Sequence, residues 1–428
     1  MKTLTWQKPG QQNVAQELIK IIINYVAELR INRIKPNFEP GGKFSMFQSV
    51  FEGFETFLFV PNTTSKSGVH IHDSIDTKRT MTVVIIALLP ALLFGMYNVG
   101  YQHYLAIGEL AQTGFWMTFL FGFLAVLPKI IVSYVVGLGI EFAVAQMRGH
   151  EIQEGFLVSG ILIPMIVPID TPLWMIAVAT AFAVIFAKEV FGGTGMNVFN
   201  VALITRAFLF FAYPSKMSGD SVFVRISDTF GLGAGQVVEG FSGATPLGQV
   251  ATYTAANGDL TLVNILGEKI STLDSFLGLI PGSIGETSTL AILIGAAILL
   301  FTGIANWRIM FSVFVGGLFM GYIANLFASP TYPGSFLSPS DQICLGGFAF
   351  AAVFMATDPV TGARTTLGKY IYGFLIGVIA IIIRVYNNGY PEGAMLAVLL
   401  MNVFAPLIDY FVVEANMKKR LKRAKTNA

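Results

Sequence analysis

GFLVSGILIPMIVPIDTP (155–172) and GGFAFAAVFMATDPVTG (346–362) decide the reading of this chain. Each opens on Gly-Phe, runs apolar, and closes at an aspartate beside Pro or Thr-Pro. Neither reaches the roughly 20 apolar residues that a bilayer-spanning helix needs. Paired short, proline-interrupted segments in matching places point to a binding site at the centre of an inverted-repeat fold. Broken backbone at that depth must line a cavity or be buried in protein, because lipid leaves its polar groups unsatisfied. Two ordinary short helices are the alternative.

Working outward, apolar runs at 81–100, 115–147, 173–190 and 198–213 flank the first segment. Runs at 289–305, 309–328, 370–386 and 393–413 flank the second. The expected fold is an all-α polytopic membrane protein. It has about ten transmembrane helices as two inverted five-helix repeats, with short broken third helices. The expected organisation is a polar segment over 1–73, a first repeat over 74–213, an exported segment over 214–286, a second repeat over 287–413, and a basic tail over 414–428. Within 1–73, Val14, Leu18, Ile21, Ile22, Tyr25, Val26 and Leu29 recur at helical spacing. That pattern reads as an amphipathic helix on a membrane or partner surface, or as a lid over a lipophilic site.

Composition agrees: 54% of the 428 residues are hydrophobic and 12% charged, where a soluble domain carries about 25% charge. The net charge of +2 gives no pull toward nucleic acid. No apolar stretch near the N-terminus ends in a cleavage site, so the spans themselves are expected to direct insertion. The tail carries Lys418, Lys419, Arg420, Lys422, Arg423 and Lys425, and the first segment is also basic. By the positive-inside rule both termini are cytoplasmic and 214–286 is extracytoplasmic. The single Cys344 excludes an internal disulfide, and one thiolate builds no zinc or iron–sulfur site within the chain. His70, His72 and Asp73 make either a weak metal site or a solvated loop.

Ionisable residues within spans are costly and default to functional candidates. Glu141, Arg206, Asp358 and Asp409 stand out. The carboxylates suit a hard cation, or they are acids snorkelling near an interface. Arg206 reads better as the partner of a buried acid or carbonyl. Phe191–Asn197 (FGGTGMN) is glycine-rich but has neither the spacing nor the preceding strand of a dinucleotide site. In the exported segment, Ser242-Gly243-Ala244-Thr245-Pro246 sets small residues beside a hydroxyl. Pro246 favours an extended Thr245.

With AKEVFGGTGMNVFN (187–200), RAFLFFAYP (206–214), MATDPVTG (355–362) and FAPLIDYFVVE (404–414), that motif resembles the B subunit of the Na+-translocating NADH:quinone oxidoreductases over nearly the whole chain. The resemblance implies FMN joined through its phosphate to Thr245 within Ser242, Gly243 and Ala244. A Mg2+-dependent flavin transferase with FAD as donor makes that bond. Glu239 departs from the aspartate usual in the family and leaves the attachment residue intact. The resemblance also implies non-covalent riboflavin, for which Asn197 and Asn200 are candidates, helix capping being the alternative. It implies ubiquinone near Gly137 and Gly139, where close helix packing is the alternative. It places Glu141, Asp358 and Asp409 on a Na+ path. Electrons would enter from a second covalent-FMN subunit, NADH being oxidised by a flavin/iron–sulfur subunit, all in the bacterial inner membrane. Two further readings stay open: the D subunit of an Rnf complex, and a non-redox channel or transporter with an inverted repeat.

Overall fold

The computed structural model describes residues 35–38, 41–44, 51, 67–69, 77–148, 155–219, 222–239, 241–253, 260–387 and 389–426. The amphipathic helix expected over 14–29 and the His70/His72/Asp73 trio lie outside them. Contacts divide the chain into two units, 1–72 with 142–152, and 73–141 with 153–428. In the first unit a 3-10 turn at Lys35–Asn37 leads into Phe38, whose ring stacks on Phe51 at 4.8 Å.

The second unit is helical, and among the described residues only isolated bridges stand in for strands. The first set is α1 (Thr77–Ala106), α2 (Phe115–Arg148), α3 (Phe156–Met165), α4 (Leu173–Ala183) and α5 (Val201–Ala212). Two short helices follow, α6 (Pro246–Thr252) and α7 (Thr272–Leu277). The second set is α8 (Thr289–Phe301), α9 (Trp307–Leu326), α10 (Pro339–Cys344), α11 (Phe348–Phe350), α12 (Thr366–Tyr386) and α13 (Ala394–Thr426). α4 continues through a π-turn, Val184–Lys188, and a 3-10 turn, Glu189–Phe191. α11 continues through a second π-turn, Ala351–Met355.

Among the described residues, six helices are long and apolar enough to cross a membrane: Arg79–Ala106, Phe115–Arg148, Leu173–Phe191, Trp307–Leu326, Thr366–Tyr386 and Ala394–Lys425. Outward-facing Trp116, Phe301, Phe311 and Tyr410 suit a hydrocarbon solvent. The paired segments 155–172 and 346–362 both form short helices, α3 with 10 residues and α11 with its π-turn.

The structure departs from the sequence expectation in two places, each with a physical cause. First, α5 and α8 are also short, at 12 and 13 residues. The backbone before α8 is irregular yet buried over 283–288. Its groups are satisfied inside the protein: Gly285 N–H donates to Met165 O at 2.8 Å, and Asn98 Nδ2 donates to Ile280 O at 2.9 Å. Second, α1 runs six residues past the apolar run, to Ala106. His103, read from sequence as lying outside the apolar runs, is fully buried there. Its ring stacks on Phe121 at 3.9 Å. Its two nitrogens face the carbonyls of Arg225 (2.7 Å) and Gly233 (2.9 Å), so it tethers the segment after α5 to the helical body.

Candidate functional site

Thr245 is the N-cap of α6. Its backbone is extended (φ −63°, ψ 155°), as a residue before proline prefers, and its Oγ1 accepts from Gly248 N–H at 3.0 Å. Pro246 sits at the first helical position, where a missing N–H costs nothing. Ser242 is exposed, Gly243 and Ala244 are buried, and Thr245 is half-buried. Gln249 fixes the turn by imitating a peptide: its Nε2 donates to Val263 O (2.7 Å) and Ala244 O (3.3 Å), and its Oε1 accepts from Val263 N–H (3.0 Å). Leu247 and Val250 pack with Ile270, Ile280, Leu337 and Leu345 into a small separate core. The threonine is therefore held on a rigid platform.

Thr245 borders a small cleft, with about 20 Å³ of water-accessible space, that is also lined by Glu286, Gly347 and Glu392. Gly347 has φ +70°, and a Cβ there would stand 2.8 Å from the Glu286 carboxyl carbon, so only glycine fits. Arg206 pairs with Glu286 (3.0 Å) and Glu392, and donates to Ile166 O at the end of α3. Arg206 thus partners both buried acids and a carbonyl. Arg384 plays a parallel part on α12, donating to the carbonyls of Gln342, Leu345 (3.0 Å) and Glu392 (3.1 Å). Arg206 satisfies a carbonyl left at the end of α3, and Arg384 satisfies carbonyls left at the end of α10, just before α11.

A second, larger hollow, open to the surface, has about 130 Å³ of water-accessible space. Asn197, Asn200 and Asp358 line it together, with Lys188 and Thr357. Asn200 Oδ1 caps α5 by accepting from Ala202 N–H (3.0 Å) and Leu203 N–H (3.3 Å), so the capping role is present. Its Nδ2 donates to Asp358 Oδ2 at 3.3 Å, across the two helix sets. Asp358 also accepts from Val360 N–H (3.0 Å) and Thr361 Oγ1 (3.1 Å). Asn197 Nδ2 donates to Phe199 O at 2.9 Å. A mainly apolar hollow with amide and carboxylate groups on one side fits a planar heteroaromatic ring with hydrogen-bonding edges.

Glu141 lies behind that cavity, buried and paired with Lys188. Asp409 lies apart, half-buried on α13. It accepts from Arg364 N–H (2.7 Å), Thr365 N–H (3.0 Å) and Thr365 Oγ1 (2.5 Å), and so holds the start of α12. Asp358 and Asp409 therefore grip the two ends of one segment, 358–365. Gly137 and Gly139 differ. A Cβ on Gly137 would enter the Phe156 ring at 1.9 Å, whereas one on Gly139 meets nothing within 4 Å. Close packing explains the first glycine only.

Lys129, Lys188, Glu286, Arg384 and Glu392 were not read from sequence as site residues. Lys129 is a cation inside a span and is buried against Thr171 O; intramembrane charge alone would have marked it. Among the described residues, no group of three or more His, Cys, Asp or Glu side chains could hold a metal ion.

Fold and site together define a polytopic helical membrane protein with short broken helices, buried charged side chains and two cavities. The profile of the NQR2, RnfD, RnfE family matches residues 64–418, and the chain belongs to that family. It is 43% identical over 412 residues to the B subunit of the Na(+)-translocating NADH-quinone reductase of Chromohalobacter salexigens, covering 92% of this chain and 95% of that one. The corresponding B subunits of Ectopseudomonas mendocina (42%) and Klebsiella pneumoniae (43%) match over 92% of this chain and 98% of theirs.

Proposed function

We propose that this chain is the B subunit of a Na+-translocating NADH:quinone reductase in a bacterial inner membrane. It crosses ten times, with both termini cytoplasmic and 214–286 periplasmic. FMN is esterified through its phosphate to Thr245. Riboflavin occupies the cavity at Asn200 and Asp358, with Asn197 at its rim, and ubiquinone is reduced near Gly137 and Gly139. Na+ moves outward past Glu141, Asp358 and Asp409. The flavins supply one-electron chemistry; this chain tethers them and shields them from solvent. The second covalent-FMN subunit, the NADH-oxidising flavin/iron–sulfur subunit and the flavin transferase are its partners.

The observation that carries the reading is the placement of Thr245. Its hydroxyl is half-buried on a platform pinned by Gln249, beside a cavity backed by the Arg206 cluster. A phosphoester there leaves the ring's electronics untouched while removing the concentration dependence of binding. The test is in-gel flavin fluorescence of the denatured protein from cells that contain the transferase. A fluorescent band is expected, lost in Thr245→Ala and kept in Ser242→Ala. A dark wild-type band would instead favour a channel or transporter without a redox cofactor.

A further inference from the structure

Lys188 occupies an unusual position. α4 gives way to a π-turn that ends on it, and such turns are frequent at functional sites. The extra residue per turn swings the following side chains around the axis, and Lys188 faces inward with a side-chain exposure of 4%. Its ammonium bonds Glu141 Oε1, while Glu141 Oε2 is buried with no hydrogen-bond partner among the described residues. A carboxylate so buried must be neutralised, and half of it is unsatisfied. The same lysine also lines the large cavity with Asn200 and Asp358. It therefore stands between an incompletely satisfied carboxylate and the proposed flavin site. Its four-carbon stem is flexible, and Gly192 (φ +119°) and Gly193 (φ +97°) follow within five residues.

We propose that Lys188 is a mobile counter-ion that shares the Glu141 carboxylate with Na+. At rest the ammonium holds Glu141 and keeps Na+ out. A flavin held in the cavity would take up one electron supplied by the NADH–quinone reaction, and with it one negative charge. The ammonium turns toward it, and Na+ takes the vacated carboxylate. The charges balance: one electron enters, one Na+ enters, and the lysine keeps its proton throughout. This rests on the reading of the cavity as a flavin site and of Glu141 as part of the cation path.

The test is equilibrium binding of 22Na+ to the oxidised, resting complex, together with the Na+ dependence of quinone reduction. Lys188→Met removes the competing ammonium, and resting Na+ affinity should rise by about tenfold, within the usual range for coupled sites. The gain should vanish in the Lys188→Met, Glu141→Gln double variant. Unchanged Na+ binding in Lys188→Met, or a gain that survives in the double variant, overturns the proposal. Lys188→Arg carries the test if the methionine variant does not assemble. A guanidinium spans both carboxylate oxygens, so the half-saturating Na+ should rise several-fold, and an unchanged value overturns the proposal. Glu141→Gln alone separates the two claims: if Na+ stimulation is then unaltered, the cation-path reading is what falls.

Discussion

Arg206→Met is the perturbation with the largest calculable effect. The guanidinium, with a side-chain exposure of 2%, serves two carboxylates and one carbonyl at once. The methionine fills the space, leaves Glu286 and Glu392 without their shared cation, and removes the donor to Ile166 O. Removing one member of a buried ion pair costs about 3–5 kcal/mol. An orphaned buried acceptor adds about 1–3 kcal/mol. Because the losses share one side chain they overlap, and we expect about 4–6 kcal/mol in total. Glu286→Gln leaves Arg206 with Glu392 and a neutral acceptor, and should cost about 1–2 kcal/mol. Equilibrium unfolding of the purified protein in mixed micelles measures both. A value for Arg206→Met within about 1 kcal/mol of wild type would show that the cluster does not hold the broken helices together.

Gly137→Leu must displace the Phe156 ring and should lower yield and stability by about 1–3 kcal/mol, whereas Gly139→Ala should be neutral; thermal aggregation of the detergent-solubilised protein compares them. Asp409→Asn weakens the capping of α12 and should reduce Na+ stimulation of quinone reduction with the flavin still attached; unchanged sodium dependence removes Asp409 from the ion path. Asp274, in the segment between α5 and α8, is held below the usual carboxylate range by hydrogen bonds from the Ser271 hydroxyl and N–H. A depressed folded pKa stabilises above the unfolded value of about 3.9, and that contribution is lost as pH falls through the lower folded value. Amide exchange over 271–277 should therefore quicken in acid, and less so in Asp274→Asn.

The fold was legible where run length and proline spoke. The long helices and both broken segments follow from apolar stretches and from Pro164, Pro168 and Pro359. The end of α1 was not, because Tyr101, Gln102 and His103 look like loop residues until a later segment arrives to cover them. Thr245 stood out by its motif, and Glu141, Arg206, Asp358 and Asp409 by their charge in apolar surroundings. Their partners were hidden by distance along the chain. Lys188 lies 47 residues from Glu141, and Glu392 lies 186 residues from Arg206. No periodicity reports such pairs. The π-turn that aims Lys188 inward leaves no trace in an apolar run that is equally compatible with a regular helix.

Mass spectrometry of the peptide spanning 226–269, from protein matured with its flavin transferase, bears most directly on the covalent flavin. We expect an FMN phosphoester on Thr245 and on no other hydroxyl of that peptide. An unmodified Thr245 in fully active complex, or flavin carried on Ser242 instead, would contradict it.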